Sequence, residues 1–536
     1  MGNLTGLPAS TLIQESGMKK TLIIVFILLM LMVPIHGIYS QGAVEEPVNY
    51  LSPPQPDKTA DNDSAGMGPG LYYTHPEFTN IMTTTVTTPA QDVDDGYIFV
   101  ASLSQFYDGQ GAIMILDDTG EPVYINTVPD DEFVGDFKVQ TVNGTDYLVY
   151  HSGALPGNYT FGSAYVLDES YHLVDTWTIE NGYGADVHEF LLLDNGHAIL
   201  MGYFPIPFDL TPYGGPANGT LLDIVLQEQD ENHNVVFEWI GTEHMPIEDT
   251  EEDLNTTDPI DFMHTNAIGV DSDGNWLLSH RNYSEITKIS RQTGDIIWRM
   301  GGAGNEFTFT NDIGFFNQHN ITRLANGNLL LFDNGNQHAP PHSRVVEYIV
   351  NETTKTVTLY GMWPGDTSEF SNAMGNIQRL PNGNSMIGWG TSAKLTEVLT
   401  NGTVGLEMLL GAPTYRAFRF PWNGTPAASP RGVVQYDVDP NAVTIYTSWN
   451  GATDITGYDV YAGTTISSMV LVDNAARTGF ETEIPLTGLP DDTCFFRTQP
   501  VHAQADPTPF SNLMYRLDLP VCLDQLSLVY LPAVFK

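Results

Sequence analysis

Three histidines hold the same place in a repeated sequence pattern. They fall in DVHEFLLLDNGHAILMGY from Asp186, DFMHTNAIGVDSDGNWLLSHRN from Asp261 and FNQHNITRLANGNLLLFDNG from Phe316. His188 and His319 stand eight residues before a turn glycine, Gly196 and Gly327, whereas His264 stands ten before Gly274, as expected of a turn lengthened by Asp271–Asp273. In a closed, radially repeated fold, equivalent positions meet on the axis, so three imidazoles in register are expected to face one pocket. Histidine works near neutral pH as nucleophile or proton carrier. Asn266 follows His264 by two residues, and Arg281 lies on the next strand, in LLSHRN. Arginine at such a place offers a fixed, charged fork for an oxyanion such as sulfate or phosphate. Histidines plus arginine, read with no working carboxylate or cysteine in the motifs, suit group transfer through a covalent histidine intermediate.

The elements that must position these residues are short strands. The repeat continues in GDFKVQTVNGTDYLVYHSG, with Asp136 eight residues before Gly144, and in AMGNIQRLPNGNSMIGWG, with Gly375 eight before Gly383. A weaker first unit is GYIFVASLSQFYDGQGAIMILDDTGEPVYINTV. Each unit reads as a strand, an Asn-Gly or Asp-Gly turn, an apolar strand and two more strands around a second turn. Four strands in each of about six units predict an all-β chain built on a six-bladed β-propeller over residues 91–425. The pattern ends after Trp422. A tryptophan, then Gly457-Tyr458-Asp459-Val460-Tyr461, then a Gly-Leu-Pro turn resembles a fibronectin type III module, a small β-sandwich expected over 432–520. Residues 521–536 form a short tail.

Composition narrows the function classes. Among 536 residues, 65 Asp and Glu face only 20 Lys and Arg, a formal charge of -45 that repels nucleic acid and anionic membranes. Any anionic substrate then needs a local cation. Lys19 and Lys20 precede an apolar run from Leu22 to Val33, too short to span a bilayer comfortably, so residues 1–40 read as a secretory signal with Met18 as the true start. Export to a periplasmic, surface or extracellular location follows, with no membrane span after signal cleavage. Residues 41–90 read as a linker, rich in Pro, Asp and Gly at its start. Cys494 and Cys522 suit one disulfide in an oxidising compartment, away from the histidine repeats.

HTNAI, LLSHRN followed by TGDIIWRMGG, and FNQHN followed by LFDNG resemble the bacterial arylsulfotransferases, which do not use the nucleotide donor PAPS. The resemblance runs from about Asp186 to Arg419 and includes YRAFRF. It implies a six-bladed propeller and ping-pong transfer of a sulfuryl group from a phenolic sulfate ester to a phenolic acceptor. By the same resemblance His319 is the nucleophile that becomes sulfated. Arg281 and Asn266 would hold the sulfuryl oxygens, and His188 and His264 would stabilise or protonate the departing phenolate. No cofactor is implied, because an aryl sulfate is already activated, and the chain carries no P-loop or dinucleotide fingerprint. The chain departs from the family in lacking an N-terminal sandwich, in adding a C-terminal module, and in its poorly matching segment Asp95–Tyr183.

Other readings stay open at this level. Each histidine could serve only to bond a neighbouring strand. Three imidazoles around an axis could hold a zinc-like ion, a reading that Arg281 beside them opposes. A non-catalytic propeller for adhesion or carbohydrate binding, and an aryl sulfatase-like hydrolase, are the alternatives. His197, His233, His244, His280, His338 and His342 read as surface or packing residues. Arg416 and Arg419 either face the channel or pair with acidic neighbours.

Overall fold

The computed structural model describes residues 72–525, apart from 130, 157–158, 366, 437–438, 440, 504–507 and 524. The expected signal segment, most of the linker and the final residues of the tail lie outside the described residues. The fold is all-β and β-propeller-like. Its first part comprises six sheets, four with four strands and two with five, antiparallel throughout except where the short Thr308–Phe309 runs parallel to Thr356–Trp363.

The first sheet joins both ends of this part: Ala417–Phe420 pairs with Tyr97–Ser102, followed by Ala112–Leu116 and Pro122–Thr127. The second runs through Glu132–Val142, Thr145–Ala154, Phe161–Leu167 and Leu173–Trp177. The third is Phe190–Leu192, Ala198–Phe208, Gly219–Gln229 and Val235–Ile240, and the fourth is Thr265–Val270, Trp276–His280, Glu285–Ile289 and Ile296–Gly301. The fifth begins at His319–Arg323 and the sixth at Asn376–Arg379. Thr84–Thr88 adds an outer strand to the sixth sheet by pairing with Val404–Leu410, so the expected linker ends before residue 84.

Every sheet packs on the next, and the last packs on the first. Val139 and Leu148 meet Phe99 and Ile115 of the first sheet, and Val149 and Val166 meet Ala198 and Leu200 of the third. Trp276 and Leu278 cover Ile199 and Leu226, while Leu329 and Tyr348 cover Leu277 and Trp298. Ile377 and Ile387 lie on Leu330 and Phe332, and Leu395 and Met408 return to Ile98 and Met114. Each fully buried side chain of this size contributes roughly 1.5–3 kcal/mol. Because both faces of a sheet are covered, middle strands such as Ala112–Leu116 (AIMIL) and Leu329–Asp333 (LLLFD) are buried throughout and do not alternate.

The repeat's register comes from one turn. Gly196, Gly274, Gly327 and Gly383 all take positive φ, between 81° and 90°, and each donates its N–H to the carbonyl three residues back. The turns Leu193–His197, Asp271–Asn275 and Leu324–Asn328 have the same closing hydrogen bonds, so Asp271–Asp273 does not lengthen the second one. The extra residues before Gly274 belong instead to the strand, which is longer and bulged between Thr265 and Ala267.

After the ring, Arg431–Tyr436, Val443–Ser448 and Thr482–Leu486 form one sheet. Val470–Ala476, Ile455–Gly463, Phe495–His502 and Met514–Tyr515 form another. The two share a core that includes Ile445, Val460, Ile484 and Phe496. Cys494 and Cys522 are joined as a disulfide at its edge. Among the described residues no helix is long and apolar enough to cross a membrane.

Candidate active site

The first strand of each sheet begins near one cavity of about 680 Å³, and the repeat's chemistry sits at those starting points. His188, His264, His319 and Arg281 all line it. The His188 and His264 rings lie edge to face with centroids 4.8 Å apart, and His264 is 6.4 Å from His319.

The three imidazoles are held differently. Nδ1 of His188 is hydrogen-bonded to Asp186 Oδ1, whose oxygen also accepts the His188 backbone N–H at 3.0 Å. Nδ1 of His264 is bonded to Asp261 Oδ2, and the His264 N–H reaches Asp261 Oδ1 at 3.1 Å. A carboxylate only accepts, so in both rings Nδ1 carries the hydrogen. Burial alone would raise the Asp186 carboxyl, but the charge and hydrogen bond of His188 and the Thr160 N–H outweigh it and hold the group at about 2. Asp186 is therefore an anion at neutral pH, and a proton gained by His188 is matched by a charge one hydrogen bond away.

His319 is backed by a neutral amide. Its Nδ1 lies 2.7 Å from Asn334 Oδ1. The amide's orientation is settled by its other end, since Asn334 Nδ2 donates to the carbonyls of Ser371 at 2.8 Å and Met374 at 3.0 Å. Nδ1 of His319 is thus the donor and Nε2 carries the lone pair. The Met374 N–H, which can only donate, meets that Nε2 at 3.2 Å. Burial pushes the His319 imidazole well below 6.5, aided by the charge of Arg281 and by His264. His319 is therefore held in its neutral form.

Arg281 follows the strand that ends at His280, and its N–H bonds the His264 carbonyl at 2.9 Å. Its guanidinium is tied to Asn282 Oδ1 at 2.7 Å. Burial pulls its pKa below the usual guanidinium value, against the opposing pull of Glu252, Asp261 and Glu251.

Asn266 needs a correction. In a regular strand, residues two apart share a face, so Asn266 should stand beside His264 in the pocket. It is instead the bulged residue, and it is not among the residues lining the cavity. Wholly buried, it gives its Nδ2 hydrogen to the Gln318 carbonyl at 2.7 Å. Its own carbonyl accepts from Tyr415 Oη and from Arg416, each at 3.0 Å. Arg416 also pairs with Asp136 at 2.8 Å and Glu189 at 3.0 Å, and both carboxylates bind Lys138. This buried, charge-balanced set of four supports Asn266, which supports Gln318, the residue before His319.

Sequence reasoning missed Asp186, Asp261, Asn334 and Tyr415. The first two were legible as D-x-H and D-x-x-H, and the view that the motifs hold no working carboxylate is wrong. Asn334, in LFDNG, reaches His319 through its side chain, and Met374, in AMGN, through its backbone N–H; neither had been assigned a role. Arg419 pairs with Asp118 and Glu397, so it serves packing, and the buried His280 bonds Thr265. Among the described residues no group of three His, Cys, Asp or Glu is placed to hold a metal ion.

The family model for Arylsulfotransferase (ASST) matches residues 138–411, slightly more than half the chain. No curated protein matches. Among solved structures, a Bacteroides caccae protein of unknown function aligns with 12% identity over 60% of this chain and 98% of its own, at a TM-score of 0.39. Virginiamycin B lyase from Staphylococcus aureus gives 11% identity over 69% and 97%, at 0.32. AztD from Citrobacter koseri gives 10% over 61% and 99%, at 0.30.

Proposed function

The chain belongs to the arylsulfotransferase family, and from that membership we propose a ping-pong aryl sulfotransferase working through sulfated His319. The observation that carries this reading is the single cavity shared by a neutral, amide-backed histidine, two carboxylate-backed histidines and an arginine.

The aryl sulfate enters as an anion, with Arg281 holding its sulfuryl oxygens. Nε2 of His319 attacks sulfur, the N–S bond forms, and the S–O bond to the aryl group breaks. The phenolate leaves with the electron pair and takes a proton from the His188–His264 pair. An acceptor phenol then returns its proton to that pair and attacks sulfur, which frees His319. Sulfuryl transfer resembles phosphoryl transfer in its loose transition state, so position and charge supply most of the catalysis. When Nε2 becomes bonded to sulfur, the Met374 N–H is released toward a sulfuryl oxygen. Asn266, behind the wall, positions Gln318 and His319.

The same reading takes the six sheets as the blades of one propeller over 91–425 and the following two as a fibronectin type III-like module over 432–520. It makes the protein an exported one. Initial rates over a grid of 4-nitrophenyl sulfate and phenol concentrations test the mechanism. Parallel double-reciprocal lines are expected; intersecting lines would mean direct transfer in a ternary complex.

A further inference from the structure

The sulfuryl chemistry uses only the part of the cavity lined by the histidines and Arg281. At about 680 Å³ the space matches what encloses a drug-sized molecule, well beyond one phenyl ring. Its lining changes with exposure. His188 and His319 are polar and buried, and Phe133, Val187 and Ile260 are apolar and buried. At the rim stand Phe106, 51% exposed, and Leu155, 36% exposed. Also on the rim are the exposed carboxylates Glu252, Asp253 and Asp258, from the segment that joins the third and fourth sheets.

We propose that the outer half of this cavity is a subsite for a second ring, so that the substrates are extended phenols whose far end is uncharged or cationic. The inference rests on the sulfuryl-transfer reading. A single ring beside the histidines fills only part of this space and leaves the exposed Phe106 and Leu155 uncovered. A second ring joined to the first would cover both and add apolar burial. The rim carboxylates set the sign of what lies beyond: a far-end carboxylate would meet three like charges, and an ammonium group would not.

The test compares 4-nitrophenyl sulfate with biphenyl-4-yl sulfates carrying methyl, aminomethyl or carboxylate at the far position. The methyl and aminomethyl donors are expected to exceed the carboxylate donor in kcat/KM by about tenfold or more at low salt, with the gap narrowing at high salt. Phe106→Ala should lower kcat/KM for the biphenyl donors about tenfold, the value of one lost aromatic contact, and leave 4-nitrophenyl sulfate unchanged. Glu252→Gln combined with Asp258→Asn should remove most of the discrimination against the carboxylate. Equal rates for the three biphenyl donors, or an equal loss on every donor in Phe106→Ala, would overturn the subsite. Fluorescence titration with the corresponding biphenyl-4-ols reads the subsite without turnover. The same ranking in binding, with no sulfate ester consumed, would sink the transferase reading and leave the subsite standing. Turnover without any ranking would do the reverse.

Discussion

His319 and the pair His188–His264 share one cavity, but the groups behind their rings differ. An amide oxygen stands behind His319, and carboxylates stand behind the other two. Both kinds of partner fix a hydrogen on Nδ1 and turn Nε2 to the cavity. Only the carboxylate also compensates a positive ring. Burial and the nearby Arg281 guanidinium then keep His319 unprotonated. In the proposed mechanism, one repeated strand start thus supplies the nucleophile in the fifth sheet and the proton carriers at the third and fourth. The partner residue, more than the histidine, sets the role.

The contrast can be broken in several places. Removing the nucleophile has the largest expected effect: His319→Ala should cost about four orders of magnitude or more in kcat with 4-nitrophenyl sulfate, at unchanged thermal stability. A drop of tenfold or less would remove His319 from the chemistry. Arg281→Lys keeps the charge and loses the planar fork, and the expected cost is about 2–4 kcal/mol of transition-state stabilisation. A near-normal kcat/KM would place the guanidinium away from the sulfuryl oxygens.

Exchanging the partner tests the comparison itself. The His319 value lies below 6.5, so Nε2 is unprotonated at neutrality and the acid limb of kcat/KM belongs below pH 6.5. Asn334→Asp gives His319 a carboxylate, which favours the protonated ring and should move that limb upward in pH, with activity recovering in base. An unmoved limb would mean that the backing group does not set the nucleophile's state. The smallest effect is expected from Asp186→Asn. It should slow 4-nitrophenyl sulfate by less than about tenfold and phenyl sulfate, a poorer leaving group, by more. Equal losses on both esters would argue against proton delivery from His188.

Much of this arrangement was legible before any fold was known. The turn glycines announced the repeat because positive φ at that position is needed in every unit; His188, His264 and His319 followed from the register, and Arg281 from its place in LLSHRN. Asn266 did not, since a bulge breaks the alternation on which face assignment depends and leaves no mark in HTNAI. Asn334 and the Met374 N–H were hidden for another reason. They reach His319 across neighbouring strands, where sequence separation carries no signal. The early strands were weakly patterned because sheets covered on both faces favour continuous apolar runs, and Thr84–Thr88 passed as linker because an outer strand is half exposed.

The most direct measurement is peptide mass spectrometry after brief mixing with 4-nitrophenyl sulfate and no acceptor, quenched in base to preserve an N–S bond. One added SO3 group on His319, matching a stoichiometric burst of 4-nitrophenolate and lost on adding phenol, is the expected result. Continued phenolate release from folded protein with no adduct on His319 would contradict the account.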